Sequence, residues 1–170
     1  MEASHCNDGE KAILNCSIKG SKKVASVCEK DRIEYRFGLI GSPEFIYPPP
    51  ENNRSDQENF RYSADRSADY SVYEYSLQFY HQGYSYVAYA GEKRKPDGSA
   101  KHSSSITVWK MKEPCSKDCP LRSPQATPEG KAIKTYTCSN SEGGMGLINL
   151  HNRYRPLPPT NLPIPCMSCP

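Results

Sequence analysis

From Ala12 to Tyr47 apolar and polar residues alternate with a period of two, the mark of strands that bury one face. In Ala12–Ile18 the apolar face is Ala12, Leu14, Cys16 and Ile18, and Val24–Cys28 follows across the turn Lys19-Gly20-Ser21-Lys22. Arg32–Phe37 alternates cleanly, with Ile33, Tyr35 and Phe37 inward and the charges outward. Gly38 and Gly41-Ser42-Pro43 punctuate the chain before a short run, Glu44–Tyr47. Residues 48–69 open on Pro48-Pro49-Pro50 and lose the alternation. This stretch far exceeds the ~4–6 residues of a usual connection, so it reads as a loop that is either functional or disordered.

The strongest hairpin signal comes next. Tyr70–Tyr80 has an inward set of Tyr73, Tyr75, Leu77 and Phe79, and Tyr84–Tyr89 runs back across Gln82-Gly83. Glycine at that point supplies the positive φ of a tight turn. A polar turn over Gly91–Gly98 leads to a strand at Ser104–Met111. A last pair is expected at Ile133–Cys138 and Gly146–Leu150, around a turn at Ser141-Glu142-Gly143-Gly144. Residues 112–131 and 152–170 are proline-rich spacers; Pro156, Pro158, Pro159, Pro163, Pro165 and Pro170 keep the tail extended. The expectation is an all-β fold: an antiparallel meander forming a small sandwich or barrel, with a disulfide-stapled, proline-rich C-terminal extension. It divides into an N-terminal segment (1–11), a main β domain (12–111), a cysteine-containing β extension (112–151) and the tail (152–170).

Composition changes this picture in one respect. The apolar share is 36%, so the core is thin, and eight cysteines sit in 170 residues. Cys6, Cys16, Cys28, Cys115, Cys119, Cys138, Cys166 and Cys169 form an even set, which favours disulfides and an oxidising compartment. A zinc site from Cys115-x3-Cys119 and Cys166-x2-Cys169 is the weaker reading, because prolines flank both pairs. Eight cysteines allow 105 pairings. One local bridge is defensible, Cys16 to Cys28 between consecutive strands, while Cys166 and Cys169 would tie the tail to Cys115 or Cys119. The chain opens Met1-Glu2-Ala3-Ser4-His5-Cys6 with no signal peptide, and the expectation is that one has been removed. No apolar run reaches the ~20 residues of a membrane span. The net charge of +3, with both signs interspersed, does not point to nucleic acid.

Catalytic signatures are missing: the chain has no H-E-x-x-H, no G-x-S-x-G, no phosphate-binding loop and no dinucleotide fingerprint. His5, His81, His102 and His151 are scattered, with His81 read as an edge residue; no catalytic residue, metal ligand or cofactor is assigned. Gly143-Gly144-Met145-Gly146 reads as a hairpin turn, and Asn15-Cys16-Ser17 and Asn53-Arg54-Ser55 match a glycosylation sequon without further support. What remains suits binding. The tyrosines read as outward-facing, Tyr70, Tyr80, Tyr84 and Tyr86, offer stiff, half-apolar contact surface. Arg94 lies in the basic tip Lys93-Arg94-Lys95, and the 51–69 loop carries Glu51, Asp56 and Glu58.

Ile13-Leu14-Asn15-Cys16-Ser17-Ile18, Val27-Cys28, Ile33-Glu34-Tyr35-Arg36-Phe37-Gly38, Pro43-Glu44-Phe45 and Gly83-Tyr84-Ser85-Tyr86 together resemble a family of small periplasmic bacterial proteins. Its members include immunity proteins encoded beside type VI secretion phospholipase effectors of the phospholipase D class. The resemblance covers roughly residues 12–110; the cysteine- and proline-rich C-terminal part departs from it. It implies a periplasmic protein that binds a secreted lipase effector and covers its active site, with no chemistry of its own. Glu51, Asp56 or Glu58 would then approach the phosphate-binding cleft of the effector, or the outward tyrosines would anchor the complex. The alternative is an envelope-associated binding or structural protein with no toxin partner.

Overall fold

The computed structural model describes residues 3–111 and 130–150. Among the described residues nine strands form two antiparallel sheets. The first holds β1 (Lys11–Ser17), β2 (Lys23–Glu29), β3 (Ile33–Leu39) and β4 (Ser42–Tyr47) in chain order. The second holds β5 (Arg61–Arg66), β6 (Val72–His81), β7 (Tyr84–Arg94), β8 (Ala100–Lys110) and β9 (Lys134–Thr137), again in chain order. A four-residue helix, α1 (Asp56–Asn59), precedes β5, and a 3-10 helix, Met145–Leu150, follows β9. The meander is therefore as expected, and the two sheets enclose one core as a sandwich, not a closed barrel.

Pairing is direct and its register follows the alternation. Tyr75 and Leu77 of β6 lie opposite Ala90 and Ala88 of β7, large against small, while Phe79 lies opposite Tyr86, ring against ring. Across the sandwich sit Ala25 and Val27 of β2, with Ile33 and Tyr35 of β3, all buried. Two expectations about faces need correction. In β1 the register shifts between Ala12 and Leu14, so Ile13 is the extra residue of a bulge and points into the core while Ala12 is exposed. In β3, Arg36 is not outward in water. The N-terminal segment crosses that face of the first sheet and buries it.

The segment is held there by a polar knot and a disulfide. The Arg36 guanidinium donates to the His5 carbonyl at 2.8 Å, to both Glu10 carboxylate oxygens at 2.6 and 2.8 Å, and to Glu34 at 2.6 Å. The hydrogen bonds from Arg36 hold the Glu10 carboxyl down at about 2. Burial alone would raise Glu34, but hydrogen bonds from Arg36 and Arg32 leave it below its ordinary value. The His5 amide donates to Ser26 Oγ at 3.1 Å, and Cys6 is bonded to Cys28. That covering explains why β2 is buried along almost its whole length on both faces.

The second disulfide joins Cys16 to Cys138, so the expected Cys16–Cys28 bridge is wrong. Cys16 and Cys28 sit on opposite faces of the first sheet, since Cys16 lies opposite Ala25 and Cys28 is three positions further along β2, an odd step. Cys16 faces the seam where the two sheets meet. There Ile18 bridges Cys138, the Lys19 amide donates to the Thr137 carbonyl at 2.9 Å, and the Ser139 amide to the Ser17 carbonyl at 2.7 Å. Residues 133–150 pack into the main body: Cys138, Leu147 and Leu150 belong to the core. The strand expected at Gly146–Leu150 is instead the 3-10 helix, and Gly143-Gly144 is not a hairpin turn. A Cβ on Gly146 would collide with the Ile13 backbone, so the helix approaches β1 more closely than any strand side chain would allow. Cys115, Cys119, Cys166 and Cys169 lie outside the described residues, as do the proline-rich 112–129 and the tail.

Candidate functional site

The stretch read as a loop, 48–69, is folded. After Tyr47 the Pro48 peptide is cis, and the chain turns across the end of the sandwich. Asn52 and Asn59 fasten it: Asn52 Nδ2 donates to Asn59 Oδ1 at 2.8 Å, the Arg54 amide donates to Asn52 Oδ1 at 2.9 Å, and Asn59 Nδ2 donates to the Arg54 carbonyl at 3.0 Å. The Ile33 amide donates to Asp56 Oδ1 at 3.0 Å, which ties α1 to the start of β3. Residues 61–66 then pair with β6 as β5. The polar character that suggested disorder is consumed in these turns, which satisfy the backbone as a regular element would.

This wrapped segment makes one wall of a cleft of about 410 Å³, through Pro49, Asn52 and Arg54. The opposite wall is the β6–β7 turn, Tyr80 to Tyr84, with Tyr47 and Met111 completing the lining. Gln82 and Gly83 both have positive φ, 48° and 81°, the backbone of a two-residue primed hairpin turn. The Met111 amide donates to the Gly83 carbonyl at 2.9 Å and holds that turn in place. Behind the cleft the rings are stacked: Tyr47 on Phe79 with centroids 4.4 Å apart, and Phe79 on Tyr86 at 4.9 Å. His81 packs on Phe45 at 5.2 Å and on Tyr47 at 5.9 Å. Burial raises the Tyr47 and Tyr80 hydroxyls above their ordinary values, with nearby Arg54 and Arg61 respectively working against it.

The structure sorts the residues proposed from sequence into separate groups. Tyr80 and Tyr84 line the cleft. Tyr86 does not face outward: it lies opposite Phe79 and stacks on it, as a core-facing residue. Tyr84 shares that inner face two residues away, but at the strand end, where the sandwich opens and leaves it 37% exposed. Glu51 and Glu58 are exposed on the wrapped segment, whereas Asp56 accepts from β3 and has a structural task. Glu58 accepts from both the Ser55 amide and hydroxyl at 2.9 Å, and these bonds, the amide's first, hold its carboxyl below the ordinary value.

Tyr70 and Arg94 belong to the far end of β6 and β7. At ~3.3 Å per residue along β6 they stand roughly 30 Å from the cleft. Arg66 lies over the Tyr70 ring at 4.4 Å and Arg94 over Tyr73 at 4.5 Å, and Arg94 is also paired with Glu92. Sequence reasoning passed over Tyr47, Asn52, Arg54 and Met111, and placed His81 at an edge. The signal for His81 was present: it immediately precedes the turn that forms the cleft wall.

Among the described residues no helix is long and apolar enough to cross a membrane. The disulfides suit an oxidising, exported environment. Compared with protein-family models, with curated proteins and with solved structures, the chain matches none of them.

Proposed function

We propose that this chain is an exported binding protein that works by surface contact, and specifically that it blocks a secreted phospholipase-type toxin in the periplasm. The observation that carries the contact reading is the cleft end of the sandwich, where Tyr80, Tyr84, His81 and Arg54 converge on a stapled scaffold. Rings held rigidly lose little entropy on binding, and such anchors in a pocketed surface carry most of the energy of an interface. The toxin class comes from the resemblance over residues 12–110. In this reading the acidic approach to the partner is made by Glu51 and Glu58, since Asp56 is committed to Ile33.

Co-expression with the product of the adjacent gene, pull-down and a lipase assay test the proposal. The expected result is a stable complex in which lipase activity is suppressed. Tyr84→Ala and Tyr80→Ala should each weaken it by about 2 kcal/mol while the fold is kept. The double variant Glu51→Ala/Glu58→Ala should slow association, because opposite charges steer encounter. Absence of a complex, or full inhibition by the Tyr80→Ala/Tyr84→Ala variant, rejects the toxin-blocking reading and favours an envelope-associated binding role.

A further inference from the structure

The cleft has a chemical character that contact with a protein does not by itself require. Its lining combines three tyrosines, one histidine and one arginine with Met111, and no carboxylate is among the lining residues. The Arg54 backbone is used at both its amide and its carbonyl, yet its guanidinium has no hydrogen bond or ion pair among the described residues. Glu58, on which the Arg54 charge acts, accepts its hydrogen bonds from Ser55. The hydroxyls of Tyr80 and Tyr84 and the ring nitrogens of His81 likewise lack partners among the described residues. Tyr47 alone spends its hydroxyl, donating at 3.4 Å to the Asn59 carbonyl. The volume of about 410 Å³ falls at the small end of the range for small-molecule sites, roughly 300–1,000 Å³.

A flat apolar group fits between rings, and a carboxylate fits an unpaired guanidinium flanked by imidazole and phenol donors. We propose that the cleft binds an aromatic acid, its ring among Tyr80, Tyr84 and Met111 and its carboxylate toward Arg54 and His81. The same chemistry has two sources, a free aromatic acid or the C-terminal aromatic residue of a partner chain. In the second case the site deepens the contact reading, by naming what the partner inserts. The small-molecule experiment below needs no partner, so it can fail while the toxin-blocking reading stands, and the reverse.

Amide spectra of the full oxidised chain, titrated with phenylacetate, benzyl alcohol and acetate, test the proposal. Phenylacetate should shift the Gln82 and Gly83 amides, benzyl alcohol should bind about tenfold more weakly for want of the charge, and acetate should not bind measurably. Arg54→Gln, on an exposed residue whose side chain makes no hydrogen bond or ion pair among the described residues, should weaken phenylacetate about tenfold and leave benzyl alcohol unchanged. Tyr84→Ala should weaken both. N-acetyl-glycyl-phenylalanine binding more tightly than phenylacetate assigns the site to a chain terminus, and weaker binding assigns it to a free acid. Equal affinity for phenylacetate and benzyl alcohol, or phenylacetate binding unaffected by Arg54→Gln, overturns the proposal.

Discussion

The Cys16–Cys138 bridge closes the only seam at which the two sheets are joined by backbone bonds among the described residues, and its removal has a calculable cost. The bonded cysteines are separated by 122 residues, against 22 for Cys6–Cys28. In the chain-entropy treatment the longer loop contributes about 4.9 kcal/mol and the shorter about 3.4 kcal/mol, through the restriction each places on the unfolded chain. Domains of this size are stable by about 5–15 kcal/mol, so the long bridge is a large share of the total. Paired alanine substitutions, Cys16→Ala/Cys138→Ala and Cys6→Ala/Cys28→Ala, leave small apolar side chains and no unpaired thiols. Urea unfolding without reductant, followed by far-ultraviolet dichroism, should show the first pair losing about 1.5 kcal/mol more than the second. Amide exchange should speed first at Lys19 and Ser139, whose hydrogen bonds lie at the seam. An equal or greater loss for the Cys6/Cys28 pair would show that loop length is not what makes the seam bridge stabilising.

Three further outcomes follow from the packing. Tyr86→Ala should destabilise the fold by about 3 kcal/mol because it empties the stack on Phe79, while Tyr84→Ala should cost under ~1 kcal/mol; equal losses in thermal melts would contradict the assignment of Tyr86 to the core. Glu10 sits at about 2 in the folded state against its ordinary 4.5, so the stability it adds is complete above pH 4.5 and is lost as pH falls toward 2. Glu10→Gln should therefore cost about 2 kcal/mol at neutral pH, with the gap to the parent closing on acidification; a gap that stays constant with pH would disprove the link to Arg36. Gly146→Ala should cost more than ~2 kcal/mol in chemical denaturation, because the Ile13 backbone occupies the space a Cβ needs.

Alternation was a good guide wherever a strand buries one face and keeps a regular register. It located eight of the nine strands to within a few residues, including the hairpin at Gln82-Gly83. It misread the places where something other than the period decides. At Ile13 a bulge shifts the phase, and the local sequence does not announce it. At Arg36 a charge is buried because a segment thirty positions earlier folds over it, a long-range event that hydropathy along one strand does not contain. Residues 61–66 were lost because Arg61-Tyr62-Ser63-Ala64-Asp65-Arg66 is an edge strand with few apolar residues, held by its pairing with β6. The disulfide pairing is also decided by parity along the strands. Cys16 and Cys28 are on neighbouring strands, but Cys28 lies three residues from the partner of Cys16, and an odd offset reverses the face.

The candidate site was legible in part for a physical reason. Its rings belong to a hairpin that can be read directly, but the segment facing them is positioned by amide side chains, Asn52 and Asn59, whose bonds depend on the finished fold. The residues first grouped as one binding surface therefore separate: Tyr86 into the core, Tyr70 and Arg94 to one end, Tyr80 and Tyr84 to the other. A standard interface of ~800 Å² per partner is about 32 Å across if roughly circular, so a patch centred on one end reaches about 16 Å and stops well short of the other. At the Tyr70 end the exposed aromatics are already covered by their own arginines, Arg66 and Arg94, which is an internal satisfaction of both charge and ring. At the cleft end Arg54 and Tyr84 have no such partner among the described residues. Groups left without internal partners have the most to gain from an external one, and on that ground the hairpin end, not the far end, is where the chain engages what it binds.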